Sequence, residues 1–200
     1  MDTEQTAGVG SWKRRLSPLV PIRPATEYAL LGLLLEGPSY GYDLTRQFLP
    51  ETELGKVCQL EMSMLYALLK KMEREGVVEG KEEKVSTHKT RRVVMLTPLG
   101  RREIEEWLQR PVYRTREVRL DFMVKMYFAR RKSLALALGL LEKQLEVNRS
   151  QLEQLHRQKN EATSGPENRF EGWVQDFRIR QNQAVLDWLE SCLTQLQTED

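Results

Sequence analysis

The stretch Met62 to Gly80, MSMLYALLKKMEREGVVEG, carries a helical apolar stripe that stops at a glycine and runs straight into β-branched residues. Leu65, Leu68, Leu69 and Met72 recur at three- and four-residue spacing, which is one face of an α-helix. Gly76 ends that helix, because glycine tolerates the left-handed backbone that terminates helical hydrogen bonding. Beyond it, VVEGKEEK and TRRVVMLT flank the polar VSTHK, so Val77 and Val78 on one arm and Val93, Val94 and Met95 on the other read as an antiparallel hairpin. A helix joined this closely to a hairpin is the strongest constraint on the fold.

The flanking segments complete a pattern. TEYALLGLLLEG reads as a helix with Thr26 as N-cap and Tyr28, Leu31, Leu34 and Leu35 inward, ending at Gly37-Pro38. SYGYDLTRQFLPE offers Ser39 as cap of a second helix that Pro50 must end, and TELGKVCQ reads as a less regular connector before the third helix. After the hairpin, Thr97-Pro98 starts a helix with Leu99, Ile104, Trp107 and Leu108 on its apolar side. Three helices, a hairpin and a helix are the plan of a winged helix-turn-helix, whose third helix enters the major groove while the hairpin flanks it.

The second half differs in character. VRLDFMVKMYFARR reads as a short amphipathic helix. Leu134, Leu138, Leu141, Leu145, Asn148, Leu152 and Leu155 then alternate four and three apart, a heptad seam. TSGPEN breaks it, and Phe170, Trp173, Phe177, Ala184, Trp188 and Cys192 resume it. Two such helices are too thin to bury their stripes alone, so these residues are expected to form a dimerisation region. Asn148 at a seam position would fix register at some cost in stability, though partial exposure accounts for it equally. The expected class is therefore mainly α with a small β-hairpin wing. It divides into an arm over 1–24, a winged helix-turn-helix over 25–110 and an antiparallel helical dimerisation domain over 111–200.

Several functions are disfavoured. The formal charge is only +2, so any nucleic-acid footprint must be local. Cys58 and Cys192 are the only cysteines and stand far apart, which argues against a disulfide framework or a cysteine zinc site and fits a reducing interior. His88 and His156 are distant in sequence, and no nucleophile elbow, P-loop or dinucleotide fingerprint is present, so neither a cofactor, a metal nor catalysis is expected. The N-terminus lacks an apolar h-region and no run spans a membrane, so a cytoplasmic location is expected. Residues 1–24 lack periodicity. Lys13, Arg14, Arg15 and Arg23 make that arm basic, and a solvated tail is its commoner role than contact with phosphate.

EGPSYGYDL, MLYALLKKMEREGVVEG and TRRVVMLTPLGRREIEEWL, in this order and spacing, resemble the PadR-like transcriptional regulators over most of Ala25 to Gln109. Two stretches depart from that family: Ser63-Met64 stands where Gly-Thr is common, and the usual pair of wing tyrosines is replaced by Val93-Val94. The resemblance implies a winged-helix DNA-binding domain, C-terminal dimerisation and repression relieved by a small molecule or stress signal.

On the residues themselves, Ser63, Met64, Tyr66, Ala67, Lys70, Lys71 and Arg74 form the outward face of the candidate reading helix. Tyr40 and Tyr42 precede it, and Lys84, His88, Lys89, Arg91 and Arg92 cluster on the hairpin. Hydroxyls and lysines can reach base edges or phosphate, while Ala67 lets the helix sit close to a thymine methyl. A lone basic helix is usually just a solvated face; a basic hairpin beside it favours a DNA surface. Trp107, Phe122 and Trp173 are candidate walls of an effector pocket, with plain core packing the commoner role for aromatics at helical spacing. The reading is a homodimeric regulator binding an inverted repeat in double-stranded DNA. The competing one is a helical dimer whose winged helix contacts another protein.

Overall fold

The computed structural model describes residues 23–86, 89–161 and 169–198. Residues 1–22 of the expected arm, together with His88, lie outside that description, as does the side chain of Lys89.

Helix α1 (Ala25–Glu36) begins one residue before the expected cap: Thr26 is helical, and the Pro24 carbonyl accepts from the amides of Glu27 and Tyr28. This helix is buried on nearly every side, far beyond the single stripe expected. Ser39 does not cap a helix. Ser39–Tyr40 instead forms a short strand, β1, and α2 (Gly41–Arg46) follows. The connector contains a further helix, α3 (Glu53–Val57), capped by the Thr52 hydroxyl accepting from the Gly55 amide at 3.0 Å. The candidate reading helix is therefore α4 (Met62–Arg74). Strands β2 (Val78–Ser86) and β3 (Lys89–Leu96) form the hairpin, and β1 adds to β3 in an antiparallel sheet ordered β1-β3-β2. Helix α5 (Pro98–Leu108) starts as read, with the Thr97 hydroxyl accepting from the Gly100 amide at 3.2 Å.

A short turn of helix α6 (Thr115–Glu117) and a π-helical turn (Val118–Phe122) lead into α7 (Met123–Lys132), then α8 (Leu134–Glu161) and α9 (Arg169–Thr198). No described helix is long and apolar enough to cross a membrane. Helix α7 bridges the two expected domains. Val124 and Phe128 join the core of α1, α4, α5 and the sheet, whereas Ala129, together with Phe122 just before α7, joins the core of α8 and α9. A methyl on Gly32 would lie 2.4 Å from the Phe128 ring, so this glycine permits α1 and α7 to approach closely.

Helices α8 and α9 pack antiparallel, as the pairings Arg149 with Glu190 and Lys159 with Asp176 require. The α8 seam faces this hairpin's own interior: Leu141, Leu145, Asn148 and Leu155 are buried within the chain, and Leu134, Leu138 and Leu152 are half-buried against it. On α9 the expected stripe does not turn towards α8. Asn182, Leu186, Leu189 and Leu196 face inward, while Phe170 is 73%, Trp173 66% and Phe177 64% exposed, with Trp188 also outward. Helix α9 has apolar residues on two faces, and α8 takes the aliphatic one because leucines interdigitate with its own leucines. Inside the hairpin, Asn148 donates to Asn182 at 2.8 Å and accepts from Gln144 at 2.7 Å. Gln144 in turn exchanges two bonds with the Val112 backbone, so the polar seam position is buried and paired.

Candidate nucleic-acid interface

Helix α4 buries Leu65, Leu69 and Met72 and half-buries Leu68. Its C-terminus closes with the Gly76 amide donating to the Glu73 carbonyl and the Val77 amide to that of Met72, with Gly76 at φ 72°. This double closure reverses the chain into the hairpin, and only glycine takes that backbone without steric cost.

Ser63, Met64, Tyr66, Ala67 and Lys70 remain on the outward face, all exposed. The Tyr66 ring lies across the first residue of α2, where a methyl on Gly41 would stand 2.7 Å from it. Gly41 thus brings α2 and α4 together at the open side of the domain. A cleft of about 430 Å³ runs between α2, α4 and the sheet, lined in part by Tyr40, Tyr42, Tyr66, Lys70, Arg91 and Arg92. The Tyr40 hydroxyl donates to Glu83 at 2.9 Å, and that bond raises the phenol's pKa, while the Arg91 guanidinium lies 5.5 Å from the Tyr40 ring centre.

The expected cations divide into two groups. Lys70 and Lys84 are exposed and make no ion pair among the described residues, and Arg74 only reaches the Lys70 carbonyl, at 3.4 Å. Lys71, by contrast, turns back to α1: its ammonium donates to Glu27 at 2.6 Å, which raises its pKa and engages its charge within the fold. Arg92 donates to both oxygens of Glu73, at 2.6 Å for Oε2, and the Gly80 amide donates to the same carboxylate at 3.2 Å. From sequence Glu73 is a candidate partner for the cations of its own helix, and its pairing with Arg92 of the hairpin is not expected. Its place one turn after Lys70, before a basic hairpin, was the available signal.

Arg23 is also displaced from its expected role. Instead of belonging to a solvated arm it is 6% exposed, paired with Glu27 at 3.0 Å, Glu103 at 2.5 Å and Glu75. Burial alone would lower its pKa; the three carboxylates more than reverse that and raise it. The network ties α1, the last turn of α4 and α5 together, and so holds the outward face of α4 at a defined angle.

The three aromatic residues expected at an effector pocket have separate surroundings among the described residues. Trp107 stacks on Tyr28 at 4.2 Å, Phe122 is buried edge-on to Trp188, and Trp173 points outward from α9. Among the described residues no group of three or more histidine, cysteine, aspartate or glutamate side chains is placed to hold a metal ion.

Comparison with known proteins adds five findings. Residues 30–106 match the Transcriptional regulator PadR-like family, and residues 118–197 match the family described as Virulence activator alpha C-term. A Bacillus subtilis protein, the Negative transcriptional regulator PadR, is 33% identical over 129 residues, which are 64% of this chain and 70% of the relative. A crystal structure of Bacillus subtilis PadR in complex with operator DNA is 30% identical, covering 86% of this chain and 99% of that one, with a TM-score of 0.43. A structure of the same protein in complex with p-coumaric acid is 28% identical, covering 87% of this chain and 99% of that one, with a TM-score of 0.39.

Proposed function

The chain belongs to the PadR-like family of transcriptional regulators, and from that premise we propose that it is a DNA-binding repressor reading an inverted repeat as a homodimer. The observation that carries this reading is the outward face of α4, with Lys70 unpaired among the described residues, beside a basic hairpin across one open cleft. Ser63, Met64, Tyr66, Ala67 and Lys70 address base edges in the major groove. Arg74, Lys84 and Arg91, with Tyr40 and Tyr42, address phosphates, and His88 and Lys89 are assigned the same role from their residue types. Arg92 joins them once a phosphate displaces Glu73. Lys71 is assigned to the fold.

The exposed row of Phe170, Trp173 and Phe177 supports pairing with a second copy, since a helix facing water on this side leaves a large apolar area uncovered. Two copies set two reading helices roughly one DNA turn, about 34 Å, apart.

The test is retention of an inverted-repeat duplex from the protein's own promoter regions at several salt concentrations. Four cations on phosphates per protomer, eight per dimer, give a slope of log affinity against log salt of roughly −7. Lys70→Ala reduces discrimination between the operator and a scrambled duplex, and Lys84→Ala weakens both equally. Binding that ignores salt and sequence would overturn the reading in favour of a protein-contact module. A reporter gene downstream of the operator is expected to fall silent when the protein is expressed.

A further inference from the structure

A second groove, of about 930 Å³, shares no residue with the α4–hairpin cleft. One wall is the linker that joins α5 to α6, the floor is the outer face of α8, and the far wall is the first half of α9. Arg114, Arg116, Lys143 and Arg178 line it against a single carboxylate, Glu146. The whole chain carries only +2, so this imbalance is a local concentration of positive charge rather than a reflection of composition.

The linker wall is built into the fold. Val112 is pinned by the buried Gln144 through bonds of 2.8 and 2.9 Å, and Gln151 donates to the Tyr113 carbonyl. With that wall fixed, the groove cannot fill by collapse of the linker. Its cations are also only partly satisfied from within. Arg114 stands 3.7 Å from Glu117 and Lys143 donates to the Gln109 carbonyl at 3.3 Å, whereas Arg116 and Arg178, on opposite walls, make no ion pair among the described residues. Gln154, Gln158 and Gln181 add amide donors and acceptors between them.

We infer that this groove binds a small polyanion, a di- or tricarboxylate or a phosphate ester, held between Arg116 and Arg178. Two guanidiniums lining one groove suit planar anionic oxygens that accept paired N–H bonds, and the amides suit neighbouring hydroxyls. The volume is in the range of small-ligand sites. Lys143 provides the route to the rest of the molecule. An anion drawing its ammonium into the groove releases the Gln109 carbonyl just beyond α5, and so loosens the joint between the winged helix and the α8–α9 hairpin. Ligand binding stands independently of the regulator reading; the role as an effector rests on it.

The experiment uses the full chain and its Arg116→Gln/Arg178→Gln variant. Citrate and glucose 6-phosphate are titrated by calorimetry, with sodium chloride at matched ionic strength as the control. The expected result is saturable binding of one of the two probes at one per protomer, weakened about tenfold in the variant because two charge-assisted contacts are lost. Citrate alone binding assigns a carboxylate ligand, and glucose 6-phosphate alone assigns a phosphate ester. Both arginines are exposed, so the unliganded variant keeps the wild-type melting temperature. No saturable heat with either probe, or equal binding by wild type and variant, overturns the site. Duplex retention is measured in parallel. A probe that binds but leaves retention unchanged keeps the site and removes the effector role. Absence of duplex binding without any probe overturns the regulator reading while the calorimetry still decides the groove.

Discussion

Replacing Arg23 by methionine removes the cation at the centre of a buried network. Its guanidinium serves Glu27 and Glu103, which are themselves almost wholly buried, and Glu75, which is exposed. After the substitution Glu27 keeps Lys71 at 2.6 Å, and Glu75 keeps water and a more distant Lys71. Glu103 keeps no cation among the described residues, so the loss concentrates there. Stranding one charge of a buried pair costs about 3–5 kcal/mol. For a chain of this size that lowers the melting temperature by roughly 6–20 °C. Urea denaturation with circular dichroism measures the difference. A second variant separates charge from packing: Arg23→Met with Glu103→Gln leaves no stranded carboxylate and recovers most of the loss. A loss below about 1 kcal/mol, with no recovery in the double variant, would refute the reasoning and return Arg23 to the solvent.

Further outcomes follow from substitutions elsewhere in the chain. Lys125 is buried, donating to the carbonyls of Trp107 and Arg110 near the end of α5, and burial pushes its pKa down to about 7 against a partial offset from Asp121. Above that pH the unfolded chain still binds the proton, so wild-type stability relative to Lys125→Met rises between about pH 7 and 10. Urea midpoints across that window check it, and a flat difference contradicts it. A methyl on Gly100 would lie 2.0 Å from the Val77 carbonyl, backbone against backbone, so Gly100→Ala destabilises by about 1–3 kcal/mol. Gly172→Ala on α9 meets nothing within 4 Å and stabilises slightly, and thermal melts of the pair must show opposite signs. Trp173→Glu with Phe177→Glu leaves the helical signal intact and shifts sedimentation from dimer to monomer, whereas an unchanged dimer would place the interface elsewhere.

Much of the N-terminal half was legible in the chain. The α4 stripe, its glycine stop, the hairpin and the Thr97-Pro98 start of α5 each depend on residues within about a turn of one another. Strand β1 was not legible: two residues show no alternation, and Ser39 and Tyr40 become a strand only because β3 offers an edge at Val94 and Val93. Helix α3 is five residues long and was hidden in a segment with no full period.

The sequence by itself determined the long helices, where the hairpin lies, the family and the outward face of α4, because periodicity, capping and glycine stops act over a few residues. Only the tertiary structure decided which charges face outward. Lys71 and Lys70 are neighbours, yet one meets Glu27 across 44 residues and the other meets solvent. Arg23 meets Glu103 across 80 residues and leaves the arm for the core. On α9 either apolar face satisfies a helical pattern, and the leucines of α8 made the choice, turning Phe170, Trp173 and Phe177 to the surface. These outcomes depend on which elements come to lie side by side, and no local pattern encodes that.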